Sequence, residues 1–265
     1  ITEGYGMTEA TCNISVNPIE GKRKIGSVGI PLPYTKIKII KQSANGSLLE
    51  CKTGESGEIC VANPGVVAGN TYTDAEKNKN LYYKKDFFRT GDLGYLDEDG
   101  YLFITGRAKD LIIRGGHNID PAIAEEALAS HSAVAMVGVI GQPDARVGEL
   151  PCAYVELIKG SEVSVDELIK HAEDNIGEQA AVPKYLELVD EMPKTPIGKI
   201  FKPELRKRAI TRVYNEALEK ASLAAKVREV VDHPKMGLTA MVAKNGVNDP
   251  KQIGKVLDKF IFKWD

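Results

Sequence analysis

Three short stretches carry residue types suited to chemistry, and they lie far apart in the chain. The first is Tyr5-Gly6-Met7-Thr8-Glu9. A hydroxyl beside a carboxylate, after a glycine that lets backbone come close, can touch a phosphate and hold a magnesium ion. The same residues also suit a helix start capped by Thr8 or Thr2. The second runs from Phe88-Arg89-Thr90-Gly91-Asp92 to Gly106-Arg107-Ala108-Lys109-Asp110. An aspartate accepts hydrogen bonds from ribose hydroxyls, and an Arg at the far end of a hairpin can return to the same place. On spacing alone, a structural ion pair between Asp92 and Arg107 is the simpler reading. The third is Pro193-Lys194-Thr195-Pro196-Ile197-Gly198-Lys199. Its prolines and glycine make a stiff loop that presents the Lys199 ammonium on a fixed stem, which suits a carboxylate or phosphate. An ordinary solvated lysine after a turn fits as well.

The elements that must position these residues change character along the chain. Up to about 106 the sequence reads as β-rich, with strands at Ile37 to Ile40 and Gly57 to Ala62. Asp97-Glu98-Asp99-Gly100 is a turn between Gly94-Tyr95-Leu96 and Tyr101-Leu102-Phe103-Ile104, predicting a hairpin. Near Lys109 strands and helices begin to alternate. Leu111 to Ile113 reads as a strand, and Asp120-Pro121 starts a helix reaching about Ser130. Strands follow at Val134 to Ile140 and Ala153 to Leu157, with Gly141-Gln142-Pro143-Asp144 read as a turn. Ser164-x-x-Glu167 is a capping box for a helix with Val165, Leu168, Ile169, Ala172 and Ile176 on one face, stopped by Gly177. A strand at Tyr185 to Val189 and a helix from Pro203 to about Val213 complete a compact α+β domain. Beyond Ala209 the spacing of Val213, Ala217, Ala221 and Ala224 predicts more helix. Strands at Leu238 to Ala243 and Phe260 to Trp264 then flank a helix around Gln252 to Asp258.

Composition narrows the classes. A chain of 265 residues can bury a core without staples. A formal net charge of -2 lacks the basic excess of a bulk nucleic-acid binder. The longest apolar runs, such as Val134 to Ile140, are strand-sized, so no integral membrane segment is expected. The chain opens Ile-Thr-Glu-Gly, without the basic stretch and apolar core of a secretory leader. Cys12, Cys51, Cys60 and Cys152 form no Cys-x-x-Cys pair and are read as reduced, in a cytoplasmic protein.

In order and spacing, the three stretches resemble motifs of the adenylate-forming superfamily, which includes acyl-CoA synthetases, luciferases and peptide-synthetase adenylation domains. The resemblance covers residues 1 to about 208. Its most specific part is Thr90-Gly91-Asp92 to Gly106-Arg107-x-Lys109-Asp110-x-Ile112, followed by Gly116-x-Asn118-Ile119-x-Pro121 and the Pro-Lys-Thr-x-x-Gly-Lys loop. It implies an α+β fold in three parts. Residues 1–108 would be the β-rich end of a large AMP-binding domain, 109–208 a mobile C-terminal domain with a small sheet flanked by helices, and 209–265 a family-specific extension.

The resemblance also implies roles. Such enzymes join a carboxylic acid to ATP and pass the acyl group to coenzyme A. Tyr5 and Gly6 would lie at the nucleotide, with Tyr5 against adenine, Thr8 at the α-phosphate and Glu9 on magnesium. Asp92 and Arg107 would hold the ribose, with Ile104 near the base. Lys199 would be the catalytic cation between acyl carboxylate and phosphate. Lys109 would be the hinge about which the C-terminal domain swings, bringing Gly115 and Gly116 to the CoA pantetheine arm, where a Cβ would crowd a tunnel. His117 would only shape that loop.

The chain departs from the family at Pro121-Ala122-Ile123-Ala124-Glu125-Glu126, where Pro-x-Glu-Ile-Glu is usual. The phrase Gly116-His117-Asn118-Ile119-Asp120-Pro121, the Gly141-Gln142-Pro143-Asp144 turn and the tail past Ala209 resemble a bacterial branch of fatty acyl-CoA synthetase-like proteins. The Ser/Thr/Gly-rich phosphate loop of the family is not in this sequence, so the N-terminal domain of the same protein becomes an expected partner, and this chain alone should turn over little. A CoA-independent fatty acyl-AMP ligase and a non-catalytic binding fragment remain alternatives. A peptide-synthetase domain is disfavoured, because no Gly-Gly-x-Ser carrier site follows.

Overall fold

Short β-branched runs broken by Gly, Pro and Asn build the first of two units, Ile1–Lys109, in the computed structural model of this α+β protein. The structure describes all residues except 1, 44, 67, 68, 70, 235 and 245–249. Strands β1 (Gly4–Met7), β2 (Cys12–Val16) and β3 (Ile30–Pro31) form one sheet. The second contains β4 (Lys36–Gln42), β5 (Leu48–Glu50), β6 (Gly57–Ala62), β7 (Tyr82–Tyr83), β8 (Phe87–Leu96) and β9 (Leu102–Arg107). Ile14, Ile59, Val61 and Leu102 are fully buried in the core they share. Each such side chain contributes roughly 1.5–3 kcal/mol by leaving water.

The β8–β9 hairpin closes through Asp97, whose Oδ1 accepts from Asp99 N at 3.0 Å and Tyr101 N at 2.9 Å. Its strands run so close at Gly94 that a Cβ there would sit 2.2 Å from the Phe103 carbonyl oxygen. Gly94→Ala is therefore expected to destabilise this unit by about 1–3 kcal/mol, measurable as a lowered midpoint of thermal or denaturant unfolding.

The second unit is Asp110–Asp265. It begins with β10 (Ile112–Arg114), β11 (His117–Ile119), α1 (Pro121–Ala129), β12 (Val134–Asp144) and β13 (Gly148–Leu157). Helix α2 (Val165–Asn175), β14 (Tyr185–Leu188) and α3 (Lys202–Lys220) follow. The last elements are β15 (Ala225–His233), β16 (Gly237–Lys244), α4 (Pro250–Leu257) and β17 (Lys263–Trp264). The first sheet runs β11-β10-β13-β12, with β14 parallel to β13. Helices α1 and α2 bury Leu128, Leu168 and Ala172 against Val139, Ala153 and Val155 on one face. The start of α3 buries Leu205 and Ala209 against Ile140, Cys152 and Tyr154 on the other.

Local signals explain the helix starts. Asp120 Oδ1 accepts from Ala122 N at 2.9 Å with Pro121 in the first turn, and Ser164 Oγ accepts from Glu167 N at 3.2 Å. Several details differ from the sequence reading, among them the last strand, which is confined to Lys263–Trp264. Residues Gly141 to Asp144 are strand rather than turn, because Pro143 lies opposite Glu149 and Asp144 opposite Gly148 in the ladder. Asp144 then closes the turn, its Oδ1 accepting from Arg146 N and Val147 N at 2.9 and 3.0 Å. Helix α3 is one 19-residue helix that runs through the 208/209 boundary and stops before Ala221. Its second half, with Ile210, Tyr214 and Leu218, packs with Ile253 and Leu257 of α4 against the β15-β16-β17 sheet. Finally, Ala224 precedes a strand, β15, rather than extending a helix; Ser222 turns the chain with φ 54°.

Candidate active site

In the first unit, the register of the β8–β9 hairpin sets Arg107 directly opposite Asp92. Arg107 Nε donates to Asp92 Oδ1 at 2.9 Å, and the Tyr5 hydroxyl donates to Asp92 Oδ2 at 2.5 Å. The chain thus brings Tyr5, Asp92 and Arg107, from three strands, onto one carboxylate. The Asp92 side chain is 9% exposed whereas that of Arg107 is 69% exposed, so the guanidinium faces solvent above a buried acid. Thr90, part of the motif but assigned no role from sequence, fixes the aspartate: Asp92 N donates to Thr90 Oγ1 at 3.0 Å and Thr90 Oγ1 donates to the Ile59 carbonyl at 2.8 Å. Burial, reinforced by the hydrogen bond to Asp92, pushes the Tyr5 phenol above its ordinary range, so it stays a donor at neutral pH. The ion pair expected on spacing alone is present. It is compatible with a ligand role, since each carboxylate oxygen keeps a free lone pair.

Ile104 is half-buried in the same core that Tyr5 packs against. Gly6 is also required by the fold itself. A Cβ there would lie 1.7 Å from the Cys12 carbonyl oxygen at a bulge in the β1–β2 ladder, so the chain's own backbone requires the glycine. Thr8 caps no helix: Met7 holds the cap position of the single 3-10 turn Thr8–Ala10 with no side-chain bond, and Thr8 is exposed. Glu9 is half-buried and accepts from the Tyr72 hydroxyl at 2.6 Å, which with burial pushes that phenol up to about 12. Tyr72 was not singled out by sequence, because nothing in its neighbourhood marks a partner 63 positions away.

In the second unit, the loop carrying Lys199 is tied across its base. Thr195 N donates to the Lys199 carbonyl at 2.7 Å, Lys199 N to Thr195 Oγ1 at 3.1 Å, and Phe201 N to the Pro193 carbonyl at 2.7 Å. The stem is fixed while the Lys199 side chain is exposed, with no partner among the described residues. Gly115 and Gly116 form the two-residue loop of the β10–β11 hairpin, with φ of 59° and 84°. Two consecutive positive φ values define the turn type that matches strand twist and favours glycine. A Cβ at either position would meet nothing within 4 Å, so within this chain backbone conformation, not crowding, demands these glycines. The hairpin is anchored by Gly115 N to the Val147 carbonyl at 2.6 Å, Arg114 Nη1 to the Ala180 carbonyl at 2.9 Å, and His117 Nε2 with Glu178 Oε1 at 2.6 Å. Lys109 lies in an exposed turn at the end of the first unit. At the unusual helix start, Glu125 Oε1 accepts from Val139 N and pairs with Lys202 Nζ, both at 2.8 Å.

Two family models match the chain: the AMP-binding enzyme model over residues 1–70 and the AMP-binding enzyme C-terminal domain over residues 124–199, together more than half of it. The chain belongs to the AMP-binding enzyme family. Tyr5 to Glu9 and Lys199 fall inside the matched segments, whereas Asp92, Arg107, Lys109 and Gly115-Gly116 lie between them. Among relatives within this AMP-binding family, a marinolic acid–CoA ligase of Pseudoalteromonas sp. (strain SANK 73390) is 41% identical across the whole of this chain and 41% of its own length. A long-chain-fatty-acid–CoA ligase of Bacillus subtilis (strain 168) is 39% identical over 77% of this chain and 36% of its own. The ATP-bound crystal structure of MatB from Rhodopseudomonas palustris matches with a TM-score of 0.70 at 34% identity, over 78% of this chain and 40% of that one. The chain thus spans about two-fifths of the length of these relatives.

Proposed function

We propose that this chain is part of an AMP-forming carboxylate–CoA ligase. The observation that carries the reading is 41% identity along the entire chain to a CoA ligase. The geometry supports it from both units. In the first half-reaction a carboxylate oxygen attacks the α-phosphorus of ATP and pyrophosphate leaves. In the second the CoA thiolate attacks the acyl carbon and AMP leaves. Asp92, held by Tyr5 and Arg107, accepts the ribose hydroxyls, with Ile104 and Tyr5 beside the base. Thr8 donates to the α-phosphate. Lys199 places a fixed cation where carboxylate and phosphate, two anions, must meet.

Glu9 suits a magnesium ion. It is one carboxylate, and no group of three or more His, Cys, Asp or Glu side chains gathers among the described residues. A magnesium ion shared between one carboxylate, phosphate oxygens and water needs no such cluster. When bound it supplies charge neutralisation at the phosphates. Lys109 is the hinge, and after reorientation of the following domain the Gly115-Gly116 turn lies against the pantetheine arm of CoA. Residues before Lys109 are the end of a larger nucleotide-binding domain, and residues past about 208 extend the mobile domain.

Fatty acids are the first acid class to test, and a reducing, cytoplasmic setting agrees with four unpaired cysteines. No helix among the described residues is long and apolar enough to cross a membrane. The test of adenylation is carboxylate-dependent exchange of labelled pyrophosphate into ATP by the full-length protein. Exchange that requires the acid supports the reading; no exchange with any acid across chain lengths sinks it. Asp92→Ala should raise the ATP concentration needed for half-maximal exchange by roughly 10-fold or more, since it removes a charge-assisted acceptor; an unchanged value would remove Asp92 from the nucleotide site.

A further inference from the structure

We propose that Glu149 and Glu156, near the two ends of β13, are positioning residues for the two half-reactions, one each; this rests on the ligase reading above. Strand β13 is bonded to β10, β12 and β14, so it is the spine of its sheet. Cys152 and Tyr154 face the core under α3, while Ala153 and Val155 face the core under α1 and α2. Glu149 and Glu156 are an odd number of residues apart in a ladder regular between them, so their side chains leave opposite faces.

Each carboxylate accepts a backbone N–H from one candidate loop. Glu149 Oε2 accepts from Ile113 N at 2.8 Å, in the strand that leads into Gly115-Gly116. Here β10 meets β13 at one register position, Arg114 opposite Gly148, so the side chain continues where the ladder ends. Glu156 Oε2 accepts from Met192 N at 2.7 Å and lies 3.5 Å from Lys194 Nζ, at the root of the loop that carries Lys199. Burial makes an unpaired acceptor costly and a paired one directional. Glu149 is 8% exposed. Gly141 leaves it room, since a Cβ there would come 2.6 Å from Glu149 Cδ. A single rigid strand therefore holds the CoA-side hairpin through one face and the adenylation loop through the other. Reorientation at the hinge can then exchange the two loops without either having to re-form.

The test uses Ala and Gln variants at both positions in the full-length protein, with each half-reaction measured separately and amide hydrogen exchange read at Ile113 and Met192. Glu149→Ala should slow transfer from supplied acyl-adenylate to CoA by roughly 10- to 10²-fold, the scale for a misplaced reacting group, with adenylation close to wild type. Glu156→Ala should do the reverse. Each should speed exchange at its own amide, and Glu149→Gln and Glu156→Gln, which keep an acceptor oxygen, should restore most of the loss. Equal loss of both half-reactions, or Gln variants as impaired as Ala, would overturn the positioning roles. A wild-type protein that forms no acyl-adenylate would overturn the ligase reading and this proposal together, whereas an active wild type without the crossed pattern would overturn the positioning roles alone.

Discussion

Lys199→Ala in the full-length protein is expected to slow adenylation by at least ~10²-fold, the usual scale for losing one fixed electrostatic contact to a developing charge. The loop is tied by Thr195, Pro193 and Phe201, so the lysine stem is held before substrate arrives. Its exposed ammonium has no partner among the described residues, so no ion pair with them must break. Acyl transfer from supplied acyl-adenylate to CoA should be spared, because in the proposed reorientation the loop carrying Lys199 has then given way to the Gly115-Gly116 turn. The measurement is a pair of single-turnover rates. A parallel fall in both would take Lys199 out of the specific role proposed for it.

The second large effect is expected at the boundary between the units. Lys109→Pro fixes φ and restricts Ala108, just where the first unit ends. If the two half-reactions need different settings of this turn, the variant should favour one. A bias of ~1.4 kcal/mol is a tenfold loss in the half-reaction made in the disfavoured setting. Acyl transfer to CoA is expected to fall further than adenylation, and Lys109→Ala, which keeps backbone freedom, should lose less. Equal rates of CoA transfer in the proline variant and wild type would remove the hinge from the mechanism.

The parts of this arrangement that were legible in sequence are those written in local signals. Asp97 to Gly100 announced the hairpin that sets Arg107 opposite Asp92, and Asp120-Pro121 and Ser164 announced helix starts that the side chains cap. The two-glycine turn between β10 and β11 was visible too, and within this chain it is positive φ that calls for the glycines. What stayed hidden depends on contacts between distant residues. Tyr72 on Glu9, the Ile59 carbonyl that anchors Thr90, and Glu149 and Glu156 under their loops carry no local mark, since a lone Glu in a strand reads as a solvated face. The fold's own demand on Gly6 was hidden as well, because the Cys12 carbonyl is brought close to it by a bulge that no periodicity shows. Strand β15 was missed for a similar reason: its alternation is broken by a register shift between Val227 and Glu229, and the preceding alanines mimic helical spacing.

On the function proposed above, the protein containing this chain couples a carboxylic acid to coenzyme A through an adenylate. The most direct test is to incubate the full-length protein with ATP, magnesium, CoA and carboxylic acids of graded chain length, and to measure acyl-CoA, AMP and pyrophosphate together. The account predicts that acyl-CoA and AMP appear in equal amounts with at least one acid class and that omitting CoA stops turnover. Acyl-adenylate that accumulates without thioester at any CoA concentration would contradict it.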